Sequence, residues 1–226
     1  MPIGSTRSRP PSTREPGCFA AAEKSGRAVQ VGSQYMSMGC AKKAAEFIKS
    51  GRLGQVTLVD GKIHRNSSAG AWYYPIPPDA SPATVDFTRF IGPAAPREFD
   101  LRRFFQWRLF WDYSGGLPTD LFVHLITATH QLMGVQEPES VFTFGGIYHW
   151  KDYRELPDQM TSMVPYPDGF VLRLTSTSSN GHPGPLLTFY GSEGTLEYNG
   201  GSFTFFHEPR AESFGFLEPV SLHPVI

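Results

Sequence analysis

The chain has 226 residues, 40% hydrophobic and 14% aromatic, with a formal net charge of −1. That is enough apolar material for one large domain or two small ones, and the charge balance argues against a nucleic-acid or anionic-membrane partner. No stretch approaches the ~20 apolar residues of a membrane span, and the basic N-terminus lacks the apolar core of a secretory signal, so the expected location is the cytoplasm. The two cysteines, Cys18 and Cys40, make neither a disulfide framework nor a zinc site by their spacing.

In chain order, Met1–Gly17 is rich in Pro, Ser and Arg and has almost nothing to bury, so it is expected to be a disordered tail. Cys18–Gly26 follows as a short helical run closed by glycine, and Arg27–Val31 as a short strand. Ala41–Ser50 is an amphipathic helix with Ala44, Ala45, Phe47 and Ile48 inward and Lys42, Lys43, Glu46 and Lys49 outward. Gln55–His64 alternates as a strand. Arg65–Pro96 is a long excursion holding Trp72, Tyr73, Tyr74 and the turn residues Pro75, Pro77 and Pro78; loops of that length in a compact domain are usually functional or disordered. Phe99–Tyr113 then gathers Arg102, Arg103, Arg108, Trp107 and Trp111. Such side chains suit polyol hydroxyls and a substrate carboxylate, and they suit equally an arginine–aromatic packing cluster on a domain surface.

The stretch Leu117–Met133 carries the most information. It predicts a helix of about four turns, with Pro118 in the first turn and Gly134 in the left-handed position just past the end. Leu121, Leu125, Ala128 and Leu132 mark a broad apolar arc. At ~100° per residue Asp120, His124, Thr127 and Gln131 fall in one narrow polar stripe. Asp120 and His124, four residues apart, are within reach of each other, the arrangement of a general base and the carboxylate that orients it. The plainer reading is a first-turn acid favoured by the helix dipole and a structural histidine. Gly115-Gly116 lets another backbone or a ligand come close to the helix start.

After Gly134 the period changes to two. Ser140–Gly145, Met160–Pro165, Phe170–Ser176, Leu186–Tyr190, Gly194–Tyr198 and Ser202–Phe206 are short β runs, and Asn199-Gly200 is a hairpin turn signal. Helices followed by consecutive strands predict an α+β domain, an open and mostly antiparallel sheet with helices packed on one face. His182, His207 and His223 are scattered and read as surface residues. A metal site drawn from Asp120, His124, His130 and His149 has no supporting spacing.

Several stretches in order carry a family resemblance: GRAVQVGSQ at Gly26–Gln34, FIKSGRLGQV at Phe47–Val56, the WR-x-x-WDY and GG-LPTD-LFV-H patterns within Trp107–His124, and FYGSEGTLEY at Phe189–Tyr198. Together they resemble the Gfo/Idh/MocA oxidoreductases, the glucose–fructose oxidoreductase and inositol dehydrogenase group, mainly in the C-terminal substrate domain. The resemblance implies a division into a tail (1–17), a remnant of the edge of a Rossmann domain (18–33) and a substrate and oligomerisation domain (34–226). It also implies NAD or NADP as cofactor, a sugar or polyol substrate, His124 as acid/base with Asp120 beside it, and Gln34 near the cofactor. Substrate contacts are expected from Arg108, Trp107, Thr127 and Trp72; Thr127 can hydrogen-bond but cannot hold the charge of a proton relay. The glycine-rich G-x-G-x-x-G turn and the Glu-Lys-Pro motif of the family are not present in the sequence. The rival reading is a binding or assembly module without catalysis, forming a homo-oligomer through the uncovered sheet face.

Overall fold

The structure, a computed structural model, describes residues 14–29, 34, 36–92, 95–135 and 137–208. The chain divides into two compact units between Ser33 and Gln34. In the first, helix α1 spans Arg14–Ser25 and closes on Gly26, whose N–H donates to the Glu23 carbonyl. The helix therefore begins within the stretch expected to be tail. A proline at its third position falls in the first turn, where a missing N–H leaves no hydrogen bond unmade. Met1–Thr13 lies outside the described residues. Residues 27–29 form no strand, and the remainder of the expected Arg27–Val31 strand, 30–31, is outside the described residues. A strand needs a paired neighbour, and among the described residues none precedes Val56.

The second unit is an α+β domain. Helix α2 (Gly39–Lys49) buries Ala41 and Ala44 while its lysines face water. Strand β1 (Val56–His64) is followed by the long excursion, which contains the short helix α3 (Phe87–Ile91), and then by the short helix α4 (Leu101–Phe105). Asp86 and Asp100 cap these helices through their carboxylates, satisfying first-turn N–H groups. A 3₁₀ turn at Trp107–Leu109 leads to a π-helical turn at Pro118–Phe122, and helix α5 (Val123–Met133) continues from it. Gly134 ends α5 with φ 77°, and its N–H bonds the His130 carbonyl, as the glycine position predicts.

Six strands follow: β2 (Phe142–Gly146), β3 (Gln159–Tyr166), β4 (Phe170–Thr177), β5 (Leu187–Gly191), β6 (Gly194–Tyr198) and β7 (Phe203–His207). With β1 they form one seven-stranded sheet in the order β2-β3-β4-β1-β5-β6-β7. Only the β1–β4 pair is parallel; all other pairings are antiparallel. Alternation decides which side is covered. Val59, Leu172, Phe189 and Leu196 point to the helices and are fully buried, and they meet Leu121, Leu125 and Leu132 there. Phe47 of α2 packs on Phe203 and Phe205, at 5.8 and 5.0 Å between ring centroids.

Gly61 explains how closely α5 lies on the sheet. A Cβ at that position would stand 2.9 Å from Leu174 Cδ2 and 3.2 Å from Leu125 Cδ1. Glycine in this central strand therefore lets Leu125 seat on the backbone, and it fixes the depth of the neighbouring His124.

Among the described residues, no helix covers the opposite face. Phe142, Phe144, Met163, Tyr190 and Phe206 share that side by register and are all exposed, Phe144 at 78%. Among the described residues, no helix is long and apolar enough to cross a membrane.

Candidate functional site

The polar stripe begins in the π turn. There the Val123 N–H reaches back five residues to the Pro118 carbonyl as well as to the Leu121 carbonyl. Such wide turns often mark functional positions, because one inserted residue re-aims the side chains around it. At Gly115-Gly116 it is the Leu156 side chain that comes close. Gly116 has φ 72°, and a Cβ there would press on Leu156 Cδ2 at 3.0 Å. Its carbonyl receives the Thr119 and Asp120 N–H groups, opening the turn.

Asp120 does not hold His124. Its Oδ1 accepts from Arg108 Nε at 2.7 Å, and among the described residues no hydrogen bond joins Asp120 to the imidazole. The guanidinium, planar, permanently charged and able to donate in a fork, takes the carboxylate. The expectation of an Asp120-oriented base is corrected accordingly. Arg108 also lies over the Trp107 ring, with its Cζ 4.2 Å from the centroid. Trp107, Arg108 and Asp120 thus form one cluster, in which both charged side chains are about one-quarter exposed. Asp120 Oδ2 and the two Arg108 Nη groups have no hydrogen-bond partner among the described residues, which leaves them open to a ligand.

His124 is half-buried and lines a cavity of 290 Å³ with Gln34, Met36, Ile63, Leu125, Ala128, Leu186, Leu187 and Gly200. His124 and Gln34, expected as acid/base and as cofactor contact, therefore line one pocket whose walls are mostly aliphatic. The segment before α2 is tied to α5 by Gln131, whose Nε2 donates to the Met36 carbonyl at 2.8 Å. Thr127 turns back on its own helix, donating to the Val123 carbonyl at 2.7 Å.

Trp72 stands apart from the site. It is 1% exposed in the domain core, at φ 68°, so its indole offers no face to a substrate. The left-handed backbone, costly for a bulky residue, is held by the Trp72 N–H on the Ala69 carbonyl and the Tyr73 N–H on the Ser68 carbonyl. The excursion is thus anchored in the core at Ala71, Trp72, Val85 and Phe87, and its tryptophan serves packing. The arginine-rich segment also divides. Arg103 bridges Asp112 and Glu155 at 2.7 and 2.8 Å, and Arg102 lies over the Tyr153 ring. These two belong to a packing and ion-pair network, whereas Arg108 joins Asp120.

One feature had no signal in the sequence. Arg154 is 5% exposed and donates from Nη2 to the Ala71 carbonyl at 2.7 Å, while Nε and Nη1 find no partner among the described residues. Nearby, Asp158 is 1% exposed and accepts the backbone N–H groups of Tyr148, His149 and Trp150. The run WKDYRELPD looks like an ordinary charged loop, and only the fold shows that two of its charges are buried. Of the remaining histidines, His130 pairs with the Tyr166 hydroxyl at 2.7 Å, burial holding its imidazole below the usual range. His182 and His207 are exposed, and His223 lies outside the described residues. No group of potential metal ligands occurs among the described residues.

An open, mostly antiparallel sheet with helices packed on one face defines the architecture as α+β. The family model for the GFO/IDH/MocA C-terminal domain matches residues 83–197, just over half of the chain, and the protein belongs to that family. No curated protein matches the sequence. Among solved structures, the chain is similar to an NAD binding oxidoreductase from Klebsiella pneumoniae, at 16% identity and a TM-score of 0.57, over 87% of this chain and 47% of that one. It is also similar to the WlbA dehydrogenase from Bordetella pertussis, solved with NADH and UDP-GlcNAcA, at 17% identity and a TM-score of 0.53, over 80% and 46%. An NAD-binding protein from Listeria innocua matches at 16% identity and a TM-score of 0.52, over 81% and 42%. At these identities the likeness shows a shared fold. The chain spans less than half the length of these structures.

Proposed function

We propose that this chain forms the substrate side of an NAD(P)-dependent oxidoreductase acting on a hydroxyl carbon of a sugar, polyol or related compound. The observation that carries the reading is the pocket shared by His124 and Gln34. NADH in the Bordetella pertussis structure and the family membership support it.

The two ends of the cofactor fit these residues differently. A pyrophosphate needs backbone N–H groups at a glycine turn that opens a helix, and the described residues contain none placed after a strand. The aliphatic walls Ile63, Leu125, Ala128 and Leu186, with Gln34 and His124 as polar groups, fit a flat heteroaromatic ring. Residues 18–33 are read as the edge of the nucleotide-binding half. When bound, a nicotinamide supplies the hydride acceptor or donor. In the oxidative direction His124 takes the hydroxyl proton on an imidazole nitrogen as the hydride leaves the same carbon, and it returns that proton in reverse. Arg108 and Asp120 hold neighbouring hydroxyls through their open Nη and Oδ2 atoms, and the Trp107 ring lies against the guanidinium.

The test compares the chain alone with the chain fused to an intact nucleotide-binding half from the same family. The chain alone should show no micromolar NAD(P) affinity by calorimetry. The fusion should reduce NAD(P) with a member of a sugar, polyol and sugar-acid panel. Micromolar binding by the chain alone would refute the need for a separate pyrophosphate site, and a cofactor-bound fusion inert to the whole panel would refute the activity.

The uncovered sheet face is read as a homo-oligomer interface, since the large apolar side chains Phe142, Phe144, Met163, Tyr190 and Phe206 are exposed on it. Light scattering at high micromolar concentration should give a multiple of the chain mass, and Phe144→Asp should shift it toward monomer. A monomer in the parent protein would rule the interface out.

A further inference from the structure

The parallel pair of the sheet, β1 and β4, sends both of its outgoing loops to one end. Residues 65–70 leave β1 there and residues 178–182 leave β4, and between them lies an open basin of about 680 Å³. Its lining is His64, Arg65, Asn66, Ser67, Gly70, Asn180, Gly181 and His182, without a single carboxylate. Lys62 projects from the same side of β1 as His64, and its ammonium occupies the room that Gly184 leaves by lacking a Cβ. The basin shares no residue with the His124 cavity. Ile63, which lines that cavity, points to the other side of the strand from His64.

Two features mark this as a built site. The first is uncompensated charge. Among the described residues neither Lys62 nor Arg65 has a carboxylate within ion-pairing distance, and the nearest acid on their strand, Asp60, is taken by Arg173. Burial, then Lys62, then His182 hold the His64 imidazole below its usual range, so the field here is already positive. The second is rigidity. One wall is fixed where the buried Arg154 binds the Ala71 carbonyl and Ala71 binds the Ser67 carbonyl. The other wall is fixed where Trp150 Nε1 binds the Ser178 carbonyl and the Ser178 N–H binds the Asp158 carbonyl. Both walls thus stand on the same buried Arg154–Asp158 region, and this is a use for that cluster that packing alone does not supply.

We propose that this basin binds the phosphoryl dianion of a small hydroxyl-bearing phosphomonoester, with Lys62 and Arg65 supplying the fixed positive charge and His64, His182, Asn66 and Asn180 supplying hydrogen bonds. Two fixed cations match a dianion better than they match a single carboxylate. The volume far exceeds one phosphate, and carboxamides, which donate and accept, suit the hydroxyls of the remainder. The proposal does not depend on the reading of His124.

The test uses the chain itself, with inorganic phosphate as the probe and imidazole NMR of His64 and His182 as the readout. At constant ionic strength, phosphate should shift both imidazoles saturably and raise the His64 pKa, because a bound dianion reverses the local repulsion. Acetate should bind at least about tenfold more weakly, and Arg65→Gln or Lys62→Gln should each weaken phosphate about tenfold or more, as expected for loss of one charge-assisted contact. Glycerol phosphate should bind more tightly than inorganic phosphate. Absence of a saturable shift in the parent protein would overturn the site, and acetate matching phosphate would overturn the phosphoryl assignment. Unchanged phosphate affinity in folded Arg65→Gln and Lys62→Gln would overturn the roles of the two cations.

Discussion

His124→Ala, in a fusion of this chain with an intact nucleotide-binding half, should slow hydride transfer by about 10²–10⁴-fold, the range for loss of a general acid/base. The same variant should unfold within about 0.5–1 kcal/mol of its parent, because the half-buried imidazole makes no hydrogen bond among the described residues. Catalytic and structural readings separate on that pair of measurements. A large fall in turnover at unchanged stability assigns the proton transfer to His124; a stability collapse with proportionate loss of folded enzyme assigns it a packing role. Asp120→Asn should behave differently. It keeps the side-chain shape but weakens the Arg108 contact, a partly exposed pair worth about 0–1 kcal/mol to stability. Its expected signature is a raised KM with a smaller change in kcat, because Asp120 and Arg108 are read as holding substrate hydroxyls. If Asp120→Asn reproduced the full loss of His124→Ala, the two residues would be acting as one unit, and the geometry of separate clusters would not account for it.

The sheet was legible because alternation and burial coincide. Phe170–Thr177 and Gln159–Tyr166 bury every second residue, and the Asn199-Gly200 turn closes as its residues require, with the Asn199 N–H on the Ser202 carbonyl and Gly200 at φ 81°. The parallel β1–β4 contact was not legible, since no local pattern states which distant strand lies beside another. At the site, residue types placed the stripe on the right helix but could not place its partners. Helical spacing brings Asp120 toward His124, whereas tertiary structure delivers Arg108 from the preceding turn, and the stronger charge takes the carboxylate. The π turn was invisible for a similar reason, because Pro118–Phe122 has no composition that distinguishes it from a first α turn. Trp72 failed for the opposite reason. A tryptophan in a long proline-rich loop suggests an exposed binding residue, but that loop folds back and uses the indole as core.

Asp158→Ala should be among the most destabilising single substitutions in the chain, by about 3–5 kcal/mol. The carboxylate accepts three consecutive backbone N–H groups at 2.9, 2.9 and 2.7 Å, so its removal strands all three donors in a place water reaches poorly. It also removes a countercharge from Arg154, which would remain buried with a single acceptor among the described residues. Asp158→Asn should cost less, because an amide oxygen keeps part of the acceptor capacity, although its NH₂ then faces donors. The pH dependence has a definite sign. Burial pushes the Asp158 carboxyl up, but the three N–H donors and Arg154 together outweigh it and hold the group below the usual carboxylate range. A depressed folded-state value means that the stabilisation is complete above the unfolded value of about 3.9 and is lost as the pH falls through the folded value. Denaturant unfolding of parent and Asp158→Asn should therefore differ most at neutral pH, and the gap should narrow on acidification below about pH 4. A gap that stayed constant into acid would mean that the buried carboxylate is not what holds the 148–150 backbone, and would shift the weight of the cluster onto Trp150 and Tyr73, whose rings stack at 5.0 Å.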